Sequence, residues 1–136
     1  MSLLPKRRNF LRELNKINFK EKITADDPFS VPKKNTKMLK ILCEKASKSG
    51  LGKSAEHLNK ISIACNNFLC HCSKVGEAET YVKKIEEALC SAADADFDST
   101  TIGAVLDDKD IKKKLKNHAE DIKDLPFKLR AIENNK

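Results

Sequence analysis

The sequence predicts an all-α protein: a compact bundle or small stack of about four to five helices, with an extended or tethered N-terminal segment. Of its 136 residues, 35% are charged and 5% are aromatic, and the chain contains only 4 Gly and 4 Pro. Sandwiches and barrels need aromatic and β-branched strands with turn residues between them, so this composition disfavours them. Apolar residues recur instead at helical spacing, and the length suits one core.

The first 34 residues predict a basic amphipathic helix followed by a proline-containing linker. Phe10, Leu11, Leu14 and Ile17 share one helical face. The basic residues of this segment lie mostly elsewhere on the helix, among them Arg7, Arg8 and Arg12. Residues 23–35 contain two prolines and little periodicity, which indicates a linker. A separate helical domain is therefore expected over 35–133.

Two helices are expected at the start of that domain, over about 36–48 and 54–74. The first ends at Ser49–Gly52, and Ser54 can cap the second. The second helix is apolar on more than one side, which predicts that it is the central and most buried one. Its apolar residues are Leu58, Ile61, Ile63, Cys65, Phe68, Leu69 and Cys72.

The second half of the chain predicts two more long helices with a short helical piece between them. One begins near Glu77 and has an apolar face that contains Ile85. After a polar break at 94–101, residues 102–106 form the short piece, and Asp107 or Asp108 can cap the last helix. Pro126 ends or kinks that helix. The apolar stripe of the last helix, and the residues that can pack back after it, are Ile111, Leu115, His118, Ile122, Leu125, Phe127, Leu129 and Ile132.

The cysteines predict reduced thiols in an intracellular protein, cytoplasmic or nuclear. There are five of them, an odd number, and the first residues lack the apolar segment of an export signal. Cys65, Cys70, His71 and Cys72 are close in sequence, but Cys70 and Cys72 would lie about 200° apart around a helix and could not share one zinc ion. We therefore expect small core residues and no metal or cofactor.

No motif in the sequence predicts catalysis. The last three residues of the segment 49–54 match the end of a phosphate-binding loop, but Ser47 stands where that loop has its first glycine. The preceding segment also has a helical pattern, with Lys37, Lys40, Lys45 and Lys48 on one side. The aspartates at 94–98 resemble a calcium loop that lacks its glycine and its final glutamate. No histidine accompanies a nucleophile in a recognisable motif, and no apolar run is long enough to span a membrane.

These features favour a non-enzymatic protein-interaction module of the adaptor or scaffold type. Its N-terminal segment cannot bury its own apolar face while detached, so a groove on another protein, of unidentified kind, is expected to receive it. The net charge of +7 leaves a second possibility, in which basic clusters bind nucleic acid. A third is that the first 20 residues act as a transit peptide. The polyanion-binding candidates are Lys112, Lys113 and Lys116, whose helix loosely resembles the second helix of a helix-turn-helix after the turn at 107–108.

Overall fold

The computed structural model of this chain describes residues 4–48, 55–94 and 104–134, apart from the side chains of 4–8 and 104–108. These ranges contain six helices and no strand, so the all-α prediction is confirmed. None of the helices found there combines the length and hydropathy that crossing a membrane requires. The helices are α1 (Leu4–Lys16), α2 (Ser30–Lys48), α3 (Ala55–His71), α4 (Val75–Asp94), α5 (Ala104–Lys123) and α6 (Leu125–Asn134).

The helices pack around one hydrophobic core. Neighbours in sequence pack together from α2 to α5, while α1 lies mainly against α5 and α6 lies mainly against α4. The side chains expected at the centre of the core are all fully buried, which confirms the predicted apolar faces. They are Leu58, Ile61, Phe68, Ile85 and Leu115.

The central helix is α4, and the prediction that it would be the helix beginning near residue 54 is wrong. Helix α4 packs against α3, α5 and α6, whereas α3 packs chiefly against α2 and α4. Ile63 was expected to widen the buried stripe of α3, but its side chain is 52% exposed. Among the described helices, α3 packs chiefly against two, and the side that carries Ile63 faces water.

Helix α2 begins at Ser30, five positions before the predicted domain start. The predicted linker is therefore shorter than expected, and the boundary at residue 34 falls inside a helix. The reason is the position of Pro32, which lies in the first turn of α2. A backbone N–H in that turn has no partner within the helix, so a residue that lacks one fits there.

Helix α5 also differs from the expectation, because its backbone is helical without interruption through residues 107 and 108. The predicted cap and turn at these aspartates are absent. Pro126 does end the helical run: Asp124 is a turn residue, and Pro126 lies in the first turn of α6. Leu129 packs back into the core as expected, but Phe127 is 77% exposed. The predicted helix stop at 49–52 and the Ser54 cap lie outside the described residues, and so does the predicted polar break at 94–101, apart from Asp94, which ends α4.

Candidate functional site

A row of exposed residues runs along the outward side of α2. The exposed residues of this helix recur every three or four positions, as expected for the side opposite to buried Leu39, Cys43 and Ala46. After Ser30 they are lysines with one exception, Ile41. We call the following set the α2 stripe: Lys34, Lys37, Ile41, Lys45 and Lys48. It extends over about 21 Å at the α-helical rise of 1.5 Å per residue.

The ends of the α2 stripe are already paired with carboxylates, and its middle is not. The Lys34 ammonium lies 2.7 Å from Glu21, and Lys48 lies 3.5 Å from Glu44. Hydrogen bonds from Lys34 and Asn35 hold the pKa of the Glu21 carboxyl below its usual value. Lys37 and Lys45 form no ion pair with any residue that the structure describes. Ile41 lies between these two lysines, four residues from each, and is 41% exposed.

The single sign of charge distinguishes the α2 stripe from the other exposed helix faces. The exposed charged residues of α5 mix both signs, and they are Lys109, Asp110, Lys113, Lys116, Glu120 and Lys123. Mixed charges are the ordinary composition of a surface that only has to remain soluble. The α2 stripe has no acidic member, and it also carries an apolar side chain at its centre.

The structure places the predicted partner-binding face of the N-terminal helix in the core. Phe10, Leu14 and Ile17 are buried, and Leu11 is half-buried against the same core. This face is predicted from the sequence to be uncovered, but α5 provides the apolar surface that covers it. Of the accompanying arginines, Arg12 is exposed, and the side chains of Arg7 and Arg8 lie outside the described residues.

A buried histidine of α5 forms a hydrogen bond with the end of α1. The Nε2 atom of His118 lies 2.8 Å from the Leu14 carbonyl oxygen, so this nitrogen donates its N–H. The Phe19 and His118 rings pack edge to face, with their centroids 5.4 Å apart. The Nδ1 atom is buried and has no hydrogen-bond partner among the described residues. Burial lowers the pKa of His118, which favours the neutral ring.

A buried asparagine near the start of α2 forms hydrogen bonds with the segment that follows α1. The side-chain oxygen of Asn35 accepts a hydrogen bond from the Asn18 N–H at 3.0 Å. Its amide donates to Glu21 at 3.2 Å and to the Val31 carbonyl at 3.2 Å. The carboxylate of Glu21 also pairs with Lys34 of the α2 stripe. The covalent connection at 17–29 is thereby joined to one end of the stripe.

The lysines predicted to bind a polyanion do not form a comparable surface. Lys113 and Lys116 are exposed, and Lys112 is half-buried. Lys116 lies near the thiol of Cys90: burial and three carboxylates raise the pKa of that thiol, and the Lys116 ammonium opposes them. The turn expected before these lysines is helical, so the helix-turn-helix resemblance is wrong. The three neighbouring carboxylates belong to Glu86, Asp94 and Glu120.

The thiols are distributed as small core residues with one exposed member. Cys43, Cys65 and Cys72 are buried, Cys90 is half-buried and Cys70 is exposed. Desolvation raises the pKa of Cys43 and of Cys65. Within the residues that the structure describes, no group of three or more His, Cys, Asp or Glu side chains could hold a metal ion.

A shallow groove of about 400 Å³ separates the outer sides of α3 and α4. Its rim combines Lys60 and Lys84 with Glu87, so its charges nearly balance. No hydrogen bond joins His57 to a serine or cysteine in the described part of the chain, so the groove offers no paired nucleophile and base there. The lining residues are His57, Lys60, Ile63, Ala64, Asn67, Lys84, Glu87, Ala88 and Ser91.

Comparison with known proteins adds no relative: no family model, no curated protein and no solved structure is similar to this chain. The lysines on one side of α2 are predicted from the sequence, but the α2 stripe as a binding surface is not. The available signal was the recurrence of lysine at 34, 37, 45 and 48 with an isoleucine in register at 41.

Proposed function

We propose that this chain is a non-enzymatic helical protein-interaction module of the adaptor or scaffold type. The proposed binding surface is the α2 stripe, not the apolar face of α1 that is predicted from the sequence pattern. That face completes the core in the folded chain, so partner binding through Phe10, Leu14 and Ile17 would require α1 to detach.

The observation that carries this proposal is the position of Ile41. An exposed isoleucine alone is ordinary on a protein surface. Here it lies at the centre of a lysine row, on a helix that packs chiefly against one neighbour, α3. An apolar centre within a polar rim is the usual anatomy of a protein–protein contact.

Nucleic-acid binding remains the second candidate, because the lysines of the α2 stripe favour it. Four lysines along about 21 Å of one helix would attract a phosphate backbone. Two of the four already contact carboxylates, which weakens this candidate. The two candidates differ in their dependence on Ile41, because phosphates gain nothing from an apolar side chain.

Affinity capture with the full chain tests the proposal. We expect the Ile41→Asp variant to lose proteins that the parent chain retains from a cell extract at about 0.15 M salt, where the Debye length is about 8 Å. The control is Phe127→Asp, which alters a more exposed apolar residue on α6. An identical set of captured proteins for the parent and Ile41→Asp would refute the proposed surface. Circular dichroism checks that both variants remain folded.

A further inference from the structure

We infer that the α2 stripe binds an acidic amphipathic helix of another protein, an inference that rests on the proposed function. Lys37 and Lys45 are unpaired within the described residues and lie two helical turns apart, with Ile41 midway. The distance along the axis is about 12 Å. A matching surface has two carboxylates about 12 Å apart and an apolar side chain between them.

A helix meets this requirement with carboxylates at positions i and i+8 and an apolar residue at i+4. The three then lie on nearly the same side of the partner, since positions four apart are neighbours on a helix face. The pattern is symmetrical about its centre, so it matches the α2 stripe whether the two helices run parallel or antiparallel. Lys34 and Lys48 lie one helical turn further out, beside Glu21 and Glu44.

An extended peptide fits this surface less well than a helix does. The backbone of α2 is already hydrogen-bonded within its own helix, so it has no donors or acceptors for an incoming strand. The strand would press unpaired backbone N–H and C=O groups against Ile41, and leaving such groups unpaired is unfavourable. A helical partner has no such cost, because its backbone is satisfied internally.

A nucleic acid is disfavoured by the same residues. A phosphate backbone laid along the α2 stripe would meet Glu21 and Glu44, whose carboxylates pair with the outer lysines. It would also leave Ile41 against charged oxygens. Only Lys37 and Lys45 would then remain available, which is few for binding that depends on counterion release.

A second copy of this chain is also an unsuitable occupant. Pairing two α2 stripes would place lysines opposite lysines, and like charges face to face are unfavourable. The most acidic described helix, α4, uses part of its charge within its own chain: the Glu79 carboxylate forms an exposed ion pair with Arg130 at 2.7 Å. Its exposed side also contains Lys83 and Lys84.

The test uses the full chain and a fluorescent synthetic helical peptide with glutamates at i and i+8 and leucine at i+4. The comparison peptide has the same composition, but its leucine is moved to i+2, on the opposite side of the helix. We expect fluorescence anisotropy to show binding of the first peptide only, with modest salt dependence. Equal binding of the two peptides, or binding of neither, would overturn the inference.

Substitutions then locate the contact. The partner helix would cover the exposed two-fifths of Ile41. Because Ile41→Ser removes this apolar contact, we expect it to weaken binding about three- to eightfold. Replacing both Lys37 and Lys45 with Gln should weaken it about two- to thirtyfold, as expected for two exposed ion pairs. The matched controls are Ile63→Ser on α3 and Lys83→Gln on α4, which should leave the affinity unchanged. Equal losses in the controls would mean non-specific adhesion and would overturn the inference.

A parallel measurement with duplex DNA tests whether a nucleic acid, and not a helix, binds the α2 stripe. Binding of DNA with a logarithmic salt slope near −2 to −4, as about two to four phosphate contacts predict, and with no effect of Ile41→Ser, would replace the inferred partner with a polyanion. The outcome also separates this inference from the proposed function. If the peptide fails to bind but Ile41→Asp still abolishes protein capture, only the class of partner is wrong.

Discussion

Replacing one buried aromatic residue should remove a large part of the stability of this fold. Phe68 is the largest fully buried side chain among the described residues, and it lies on α3, where the core meets α2 and α4. Phe68→Ala removes a ring that the surrounding side chains cannot replace, so we expect a loss of about 3 to 5 kcal/mol. With an unfolding entropy of about 2.1 cal/mol/K per residue, this corresponds to a melting temperature about 10 to 17 °C lower.

The matched control is the same substitution at an exposed phenylalanine. Phe127 is 77% exposed on α6, so Phe127→Ala should change the free energy of unfolding by less than about 0.5 kcal/mol. Urea unfolding followed by far-ultraviolet circular dichroism gives both free energies at one temperature. Equal losses at the two positions would refute the placement of α3 in the core and of Phe127 on the surface.

Three further predictions concern buried polar groups and thiols. Because burial lowers the pKa of His118 in the folded chain, the unfolded chain binds a proton at this histidine more readily. The free energy of unfolding should therefore fall as the pH drops below about 6.5 and through the lower pKa of the folded chain. This fall should be smaller in His118→Asn than in His71→Asn, the control at an exposed histidine. Asn35→Ala leaves the Asn18 N–H without its acceptor and should cost about 1 to 3 kcal/mol in urea unfolding, while Asn15→Ala should be nearly neutral. Cys70 should react first with a thiol reagent and Cys43 only after denaturant is added; a fast phase that persists in Cys70→Ser would contradict the burial pattern.

The sequence alone was sufficient for the fold class and for most of the core. Leu58, Ile61 and Phe68 recur with the period of a helix, and a periodic apolar face has to be buried somewhere. The thiol of Cys65 falls on the same face and is buried with them. These conclusions depend on local spacing, which does not change with the neighbours that a helix acquires.

Helix boundaries near prolines and aspartates were less predictable. Pro32 and Pro126 each lie in the first turn of a helix, where the missing N–H does no harm, although a proline also signals a linker or a helix end. At Asp107 and Asp108 the backbone continues as a helix, although an aspartate there can equally cap one. The same residue type is compatible with both outcomes, so local sequence could not decide between them.

Which faces are covered was decided only by the tertiary structure. The apolar face of α1 was correctly identified from its spacing. However, His118, which forms a hydrogen bond with the Leu14 carbonyl of α1, is 104 residues away from Leu14 in sequence. Likewise, Ile41 and Leu39 are both apolar residues of α2, and only the position of α3 leaves the first exposed and buries the second. Periodicity specifies the side of a helix on which a residue lies, whereas its exposure depends on contacts between segments distant in sequence, and a local pattern does not contain that information.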